Sequence, residues 1–381
     1  MIKVTLFFSY GVSIKVWHES GFLSRELSYY KDLIDQRNIE IQFLTYGDET
    51  DLDFDEVPDG INITPIYNKI KKPKTRLGYF INSLIFPIYF QDELSSSDLF
   101  KTNQIWGSWS AVIAKFYYKI PLFVRVGYDL DKNSIVGEKS LYKRLFIKLI
   151  SRMAYRVAND IWVPTQEISE FIQRRHKLSK NNITIFPNWI DTDLFNSIEN
   201  IKPFNNRLLY IGRLSKEKNV TLLVRSLHKT GIGLDIVGNG EEKNDIKTLA
   251  KDLNISINFL GRVENKELPS LINHYTVLVL CSHYEGSPKV LLEAMSCKRA
   301  VIGTNKPGIK NIIINQINGL ICESNPSSLA SCIIELIEDK EKTKKLGIQA
   351  RKYIIANHSK NEAIKKEVNI YNNLIKNNKS G

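Results

Sequence analysis

The sequence contains little that binds a metal or forms disulfide bonds. Its 381 residues include four cysteines, all in the C-terminal part, and six scattered histidines. None of the cysteines stands at a metal-ligand spacing, and no two histidines do. We therefore expect no metal site, and we expect reduced, buried thiols of a cytoplasmic protein at Cys281, Cys297, Cys322 and Cys332.

Long apolar runs and tandem repeats are also missing. The most apolar stretch, residues 79–90, is too short to span a bilayer and contains Asn82, Ser83 and Pro87. The apolar start, residues 1–8, has no small-residue cleavage site after it, which favours a first buried strand over a signal peptide. The sequence therefore predicts no membrane-spanning helix and no solenoid repeat.

Positive charge is what the sequence has in excess. Its 53 Lys and Arg residues against 41 Asp and Glu residues give a net charge of +12, whereas its hydrophobic content of 43% is ordinary. This excess implies an anionic partner, which is a phosphate-bearing ligand, a membrane surface or a nucleic acid. No known nucleic-acid-binding module is visible in the sequence, so we expect no nucleic acid partner.

Strand-like and helix-like segments alternate along both halves of the chain, which predicts two parallel sheets covered by helices. We expect an α/β fold with two Rossmann-like, doubly wound domains that face each other across a cleft. Strands are predicted at residues 4–8, 39–44, 61–66, 122–126 and 161–163, and again at 208–211, 234–237, 257–260, 277–280 and 300–302. The expected boundaries are an N-terminal domain at 1–196, a polar linker at 197–206, a C-terminal domain at 207–357, and a C-terminal helix at 358–381 with the option of returning to the N-terminal domain.

The stretch around Glu285 reads as a strand, a small-residue turn and a helix. An apolar run at 276–280 is followed by a turn at Gly286 and Ser287, and Pro288 suits the first position of a helix. A helix start reached through such a turn presents free backbone N–H groups, which suit a phosphate or another anion.

Two carboxylates belong to this stretch, Glu285 in the turn and Glu293 on the helix. A glycosidase-like pair needs carboxyl groups about 5–10 Å apart. Eight residues of helix rise about 12 Å, so the spacing suits the two ends of an elongated ligand better. The non-functional alternative for each of the two residues is a solvated surface carboxylate.

Three further clusters follow predicted strands. The first has Gly212, Arg213 and Lys218, whose cations suit phosphate oxygens, although an exposed basic loop is as good an interpretation. The second, residues 237–241, has two glycines that permit close backbone approach, with a plain turn as the favoured alternative. The third, residues 259–263, is a weak signal by itself.

Taken in order, these segments resemble the retaining GT-B glycosyltransferases of glycosyltransferase family 4. Glu285 and Glu293 form that family's Glu-x7-Glu signature, and residues 284–295 look like its donor-site segment. The segments 300–304, 308–309 and 318–319 follow in the expected order, and Gly212, Arg213 and Lys218 resemble its phosphate-binding loop. The resemblance extends from about residue 187 to 356 and is diffuse before that.

The resemblance implies a role for each matching position. Arg213 and Lys218 would bind the donor diphosphate and stabilise its developing charge, and Glu285 would bind donor-sugar hydroxyls. Glu293 would bind the ribose. The remaining donor-binding positions are Gly11, Gly212, Val263, Gly286, Ser287, Pro288, Lys289 and Val290. The family implies retention, no bound metal and no cofactor, with a UDP- or GDP-linked sugar as substrate.

The N-terminal half departs from the family pattern. Its first strand is followed by a single glycine, Gly11, where many members have two, and the mid-domain strand is not followed by a histidine. For the acceptor side we name Arg125, Tyr128, Asp129 and Asn188, with a structural strand end as an equal alternative for the residues that follow strand 122–126. The polar run 101–104 has the same two interpretations.

Two basic amphipathic segments, residues 68–90 and 142–152, suit the surface of an anionic membrane, with ordinary domain helices as the alternative. The sequence thus predicts a cytoplasmic glycosyltransferase, peripheral on the inner face of the membrane. It would move a sugar to a lipid-linked, polysaccharide or lipopolysaccharide acceptor. Alternatives are a nucleotide-sugar epimerase or phosphorylase of the same fold, or an inactive nucleotide-sugar-binding protein.

Overall fold

The computed structural model describes residues 1–127, 131, 140–178 and 182–380. The chain divides into two compact units. The first consists of Met1–Phe186 together with Ile364–Gly381, and the second of Pro187–Ala363. Each unit is built around its own parallel sheet.

The first unit has a seven-stranded sheet, and its described helices cover that sheet. Its strands are β1 Ile2–Phe7, β2 Ile39–Thr45, β3 Ile61–Pro65, β4 Leu99–Thr102, β5 Leu122–Arg125, β6 Asp160–Val163 and β7 Ile183–Ile185. Its helices are α1 Ile14–Glu19, α2 Leu23–Arg37, α3 Arg76–Tyr89, α4 Gln91–Ser95, α5 Ser108–Tyr118, α6 Leu141–Val157 and α7 Gln166–His176.

The strand order of the first sheet is β3-β2-β1-β4-β5-β6-β7, and every recorded pairing is parallel. The strands are apolar and buried because helices pack on both faces of such a sheet. The helix starts carry polar caps, such as Ser13 for α1 and Thr165 for α7, whose side chains accept a hydrogen bond from a backbone N–H.

The second unit repeats this plan with six strands. They are β8 Arg207–Ile211, β9 Gly233–Val237, β10 Ile257–Gly261, β11 Val277–Leu280, β12 Ala300–Thr304 and β13 Leu320–Cys322. Its helices are α8 Val220–Ser226, α9 Lys243–Asp252, α10 Leu268–Asn273, α11 Lys289–Ser296, α12 Pro326–Glu338 and α13 Lys340–His358, and the chain ends with α14 Lys360–Ser380. The order β10-β9-β8-β11-β12-β13 reverses between β8 and β11. In doubly wound sheets, ligands bind beyond the carboxyl ends of the strands at such a reversal.

The structure locates all ten predicted strands to within two residues at each end and adds β4, β7 and β13, which are only three or four residues long. It also assigns two other stretches, one polar and one apolar, to a strand and a helix. Lys101 and Thr102, read as a run after a strand, belong to β4 and are buried. Residues 79–90, the most apolar stretch, largely coincide with α3.

The segment expected to join the domains belongs to the second unit throughout. The division falls between Phe186 and Pro187, ten residues before the expected boundary at 196. The reason is a set of hydrogen bonds: the N–H of Ile190 donates to the carbonyl of His358, and the N–H of Ile198 donates to the side-chain oxygen of Asn273. The segment 197–206 is therefore anchored on the second unit.

The residues 364–381 are grouped with the first unit. Glu367 on α14 is buried there and accepts hydrogen bonds from Tyr29, at 2.6 Å, and from Lys101 and Tyr371. The predicted C-terminal helix therefore contributes a buried carboxylate to the first unit.

Within the described residues, no helix combines the length and the apolar character that crossing a membrane would require. Cys281, Cys297 and Cys322 are buried, as expected, whereas Cys332 is half-buried. All four thiols are free.

Candidate functional site

The loops that follow β8 and β11 lie side by side because these two strands are neighbours in the second sheet. The N–H of His283 donates to the carbonyl of Glu217 at 2.8 Å. The thiol of Cys281 donates to the carbonyls of Lys218 and Asn219, at 3.4 and 3.2 Å. Burial raises the pKa of Cys281 to about 12, so the thiol stays protonated and remains a donor. These bonds fix the backbone at Lys218.

Between these two loops, at the carboxyl edge of the second sheet, Lys218 and Glu285 form an ion pair. The Nζ of Lys218 lies 2.7 Å from Oε1 of Glu285, and the side chains are 20% and 11% exposed. The hydroxyl of Ser282 donates to the same carboxylate oxygen at 2.6 Å. Oε2 of Glu285 has no hydrogen bond within the described part of the chain, so it is available to a ligand hydroxyl. The arrangement holds a carboxylate in one orientation and places a cation beside it.

Ser282 is itself held in place. It is fully buried, and its carbonyl accepts a hydrogen bond from the hydroxyl of Thr304, the last residue of β12, at 3.1 Å. Neither residue has a role in the sequence-based prediction. A small polar residue two positions after a strand is the only local signal for Ser282, and no local signal connects it with Thr304.

The turn at Glu285 also depends on a glycine. The N–H of Glu285 donates to the carbonyl of Pro307 at 3.1 Å, and the next residue, Gly308, has a φ of +83°. A Cβ at Gly308 would lie 2.0 Å from the carbonyl oxygen of Glu285. Gly308 thus permits a backbone contact that no other residue type tolerates without a shift.

The glycines of the second cluster serve close packing rather than a plain turn. The N–H of Leu214 donates to the carbonyl of Asn239 at 3.0 Å, which places one loop on the other. A Cβ at Gly238 would lie 2.0 Å from the carbonyl oxygen of Gly212, and a Cβ at Gly240 would lie 2.2 Å from that of Leu214. These glycines therefore support the loop that carries Arg213 and Lys218.

Arg213 is exposed, and among the described residues its guanidinium makes no hydrogen bond or ion pair. Its carbonyl accepts a hydrogen bond from the hydroxyl of Tyr210 at 3.2 Å, which fixes its backbone. The side chain is therefore free to bind an anion. In the third cluster, Val263 is half-buried and packs against the core, and Gly261 has a φ of +72°.

The helix α11 begins at Lys289, and Pro288 is the residue before it rather than its first residue. Glu293, one turn further on, is buried. No atom lies within 4 Å of a Cβ placed on Gly286, so the turn is open there. Val290 packs against the core, and Lys289 lies with its Nζ 5.3 Å from the centre of the Trp189 ring.

Asn188 lies beside the predicted donor segment. The prediction names it for the acceptor side, but it belongs to the second unit, and its side-chain amide donates to the carbonyl of Ser287 at 3.2 Å. The ring of His358 contacts the carbonyl of Asn188 at 2.9 Å. Asn188 therefore connects the segment that enters the second unit with the turn before α11.

The other acceptor-side predictions belong to the first unit. Arg125 ends β5, and its guanidinium lies 3.4 Å from the carboxylate of Glu26, so an ion pair occupies it. Burial opposes its charge, but Glu26 and the other acidic groups nearby leave the pKa of Arg125 above its ordinary value. Tyr128 and Asp129 lie outside the described residues. Gly11 is exposed in a turn with a φ of +76°, and the space around it is open.

Comparison with known sequences finds similarities that lie mainly in the second unit. Residues 191–353 match the sequence model of the family described as glycosyl transferases group 1. An uncharacterized glycosyltransferase of Methanocaldococcus jannaschii is 31% identical over 147 residues, which are 38% of this chain and 42% of that protein. The N-acetyl-alpha-D-glucosaminyl L-malate synthase of Bacillus anthracis is 29% identical over 181 residues, 46% of this chain and 47% of the synthase.

A third relative has a lipid-linked acceptor in its name. It is the N-acetylgalactosamine-N,N'-diacetylbacillosaminyl-diphospho-undecaprenol 4-alpha-N-acetylgalactosaminyltransferase of Campylobacter jejuni. It is 26% identical over 212 residues, 54% of this chain and 58% of that enzyme. The chain thus spans about half the length of these curated relatives.

Solved structures match over nearly the whole chain. The sucrose-phosphate synthase of Thermosynechococcus elongatus has a TM-score of 0.76 at 17% identity, covering 98% of this chain and 99% of its own. The HepE protein of Anabaena, in complex with UDP and glucose, has a TM-score of 0.72 at 16% identity, covering 97% and 98%. At such identities the likeness concerns the fold, and the predicted GT-B architecture with two Rossmann-like domains is confirmed.

Proposed function

We propose that this chain, whose residues 191–353 match the sequence model of the glycosyl transferases group 1 family, transfers a sugar from a nucleotide-sugar donor to a glycan or lipid-linked acceptor. The observation that carries this proposal is the group formed by Lys218, Glu285 and Ser282 at the carboxyl edge of the second sheet. A fixed carboxylate suits sugar hydroxyls, and a cation beside it suits the phosphate to which the sugar is attached.

The same residues define the steps. Arg213 and Lys218 bind the donor diphosphate and stabilise the negative charge that develops on it as the bond from the sugar carbon to the phosphate oxygen breaks. Glu285 orients the sugar. We propose a reaction with retention and without a metal. The acceptor oxygen then bonds to the sugar carbon on the face that the phosphate leaves, and the leaving phosphate takes the acceptor proton.

The donor is a UDP- or GDP-linked sugar in this proposal. The complex of HepE with UDP and glucose supports the UDP arm, since that protein has a similar fold. A screen of UDP-, GDP- and ADP-sugars by thermal shift identifies the donor, because a ligand that binds only the folded state raises the unfolding temperature. Product analysis with lipid-linked oligosaccharides then measures transfer.

The decisive comparison uses three variants. Glu285→Gln and Lys218→Met should each reduce transfer by orders of magnitude at an unchanged circular dichroism spectrum. Lys247→Met is the control, because it removes an exposed lysine from α9 of the same unit. Near-normal transfer in both site variants would disprove the assignment. Epimerised donor without transfer would indicate an epimerase, and donor binding without turnover would indicate an inactive binding protein.

We also propose that the first unit binds an anionic membrane surface that carries the acceptor. The N-terminal half of α6 carries exposed apolar side chains together with an exposed lysine. The start of α3 and the residues just before it likewise combine exposed apolar side chains with exposed cations. The apolar ones are Leu77, Ile81, Leu141, Tyr142, Leu145, Phe146 and Leu149, and exposed cations are Lys71, Lys74, Arg76 and Lys143. The rings of Phe80 and Phe146 are 6.1 Å apart, so α3 and α6 present one surface. Apolar side chains among cations suit the boundary of an anionic bilayer.

Sedimentation with phosphatidylglycerol vesicles tests this surface. Binding should weaken as salt rises, because counterions screen exposed charges. Leu145→Glu should reduce binding, whereas Ile355→Glu, on α13 of the second unit, should not, although both residues are exposed helical side chains. Absence of vesicle binding at low salt would refute the membrane proposal and leave the transferase proposal untouched.

A further inference from the structure

A cavity lies at the amino edge of the second sheet, away from the group around Lys218. It has a volume of about 700 Å³. Three of its lining residues, Asn206, Thr276 and Arg299, immediately precede the strands β8, β11 and β12. The Lys218 group follows the carboxyl ends of the same sheet. Strands of four or five residues separate these edges by about 15 Å, so the two sites are distinct.

The lining of this cavity is strongly cationic. Of its fifteen residues, five are basic and none is acidic. The basic ones are Lys202, Lys298, Arg299, Lys340 and Lys344. They come from the segment 197–206, from the turn after α11 and from the start of α13. The tertiary structure therefore brings them together from three separate parts of the sequence. Charges of one sign that converge on a concavity attract an anion.

Arg299 is the central feature of this lining. Its guanidinium donates to the carbonyls of Cys297 and Tyr275, at 2.7 and 3.4 Å, and to the side-chain oxygens of Asn273 and Ser197, at 3.2 and 3.5 Å. All of these acceptors are uncharged, and within the described residues no carboxylate pairs with it. Burial lowers the pKa of Arg299, because desolvation disfavours its charged form. A bound anion would supply the missing charge.

Part of the lining is apolar. Phe204, 45% exposed, stacks on His274 with ring centres 5.2 Å apart, and its N–H donates to the carbonyl of His274 at 2.8 Å. Leu336 from α12 and Ile348 from α13 add aliphatic side chains to the lining, and Ile348 is 38% exposed. An exposed ring fixed by its own backbone offers a rigid surface to an apolar ligand group.

We propose that this cavity binds a ligand in which a phosphate group is attached to an apolar moiety, with the phosphate at Arg299 and the lysines and the apolar part against Phe204. The inference does not depend on the proposed transferase activity, since none of its residues belongs to the Lys218 group. A lipid phosphate and an aryl phosphate share this chemistry. A lipid phosphate would gain more binding energy from the aliphatic side chains of Leu336 and Ile348, and an aryl phosphate more from the ring of Phe204.

Calorimetric titration of the full chain with octyl phosphate, phenyl phosphate and inorganic phosphate tests the site. The two organic phosphates should bind saturably, at least tenfold more tightly than inorganic phosphate, and less tightly at high salt. Stronger binding of octyl phosphate identifies the lipid source, and stronger binding of phenyl phosphate identifies the aryl source. Lys298→Gln/Lys344→Gln should weaken both about tenfold. Both lysines are exposed, so this variant should fold.

Two control variants and one further test variant show whether binding depends on this cavity. Lys247→Gln/Lys251→Gln removes the same charge from exposed positions on α9 and should leave the affinity unchanged. Lys218→Met, which impairs the donor site, should also leave it unchanged. Phe204→Ala should weaken the organic phosphates but not inorganic phosphate. No saturable binding, equal losses in the two lysine pairs, or a loss in Lys218→Met would overturn the proposal.

Discussion

Replacing Ser282 by alanine removes one of the two hydrogen bonds that hold the carboxylate of Glu285. The hydroxyl of Ser282 and the Nζ of Lys218 donate to the same oxygen, at 2.6 and 2.7 Å. The backbone of residue 282 keeps its bond from Thr304, so the fold should survive. Ser282 acts through Glu285, so it is a positioning residue, and its loss should lower turnover without abolishing it.

The size of the effect follows from the burial of the carboxylate. A hydrogen bond to a charged group contributes about 1.5–3 kcal/mol. Because the Glu285 side chain is 11% exposed, water replaces part of the lost bond, and the lower end applies. About 1.5 kcal/mol corresponds to a roughly tenfold lower kcat/KM. In the background of Glu285→Gln, where no charge is left to hold, the further loss should be less than about threefold.

The assay is release of nucleoside diphosphate with the donor found by thermal shift, measured for the two single variants and the double variant. Ser331→Ala is the matched control, since its hydroxyl is exposed and donates to the carbonyl of Ser327 on α12. An unchanged kcat/KM in Ser282→Ala, or a double variant in which the two effects multiply in full, would show that Ser282 does not act through Glu285.

Three further changes test other parts of the structure. Gly308→Ala should reduce turnover at least tenfold, because its Cβ would lie 2.0 Å from the carbonyl oxygen of Glu285, and nucleotide-sugar turnover measures this. Asp160→Asn should stabilise the protein at pH 8 and change little at pH 4, as urea unfolding will show. Burial raises the pKa of Asp160 to about 6 from 3.8, so the wild type loses stability as the pH rises through that range. The upper limit is about 3 kcal/mol, and the partial exposure of the carboxyl reduces our expectation to about 1 kcal/mol. Lys101→Met should cost about 3–5 kcal/mol in urea unfolding, because it leaves the buried carboxylate of Glu367 without its ion-pair partner.

Each of these changes has its own control. Gly231→Ala imposes a similar backbone strain, at a φ of +71°, with no atom within 4 Å of the new Cβ, so it should leave turnover unchanged. A larger stabilisation by Asp160→Asn at pH 4 than at pH 8 would contradict the assigned pKa. The double variant Lys101→Met/Glu367→Gln should be more stable than Lys101→Met alone, and additive losses would contradict the coupling.

The strands and helices were predictable because their signals are local. Apolar runs such as 277–280 and the small-residue turn before α11 lie within a few residues of each other, and local periodicity identifies an element without its neighbours. β7 and β13 were not predicted because three residues carry too little periodicity, and β4 was not because its second half, Lys101 and Thr102, is polar although it is buried. The sequence also indicated Lys218 and Glu285 through spacing and family resemblance.

The sequence by itself determined the alternating α/β architecture and the residue types at the ends of the strands. Only the tertiary structure decided which of those residues meet, because strand order is set by pairings between distant segments. Lys218 and Glu285 are 67 residues apart and meet because β8 and β11 are neighbours. Lys101 and Glu367 are 266 residues apart. The segment 197–206, which the sequence suggested as a linker, forms part of a cationic cavity because backbone hydrogen bonds anchor it on the second unit.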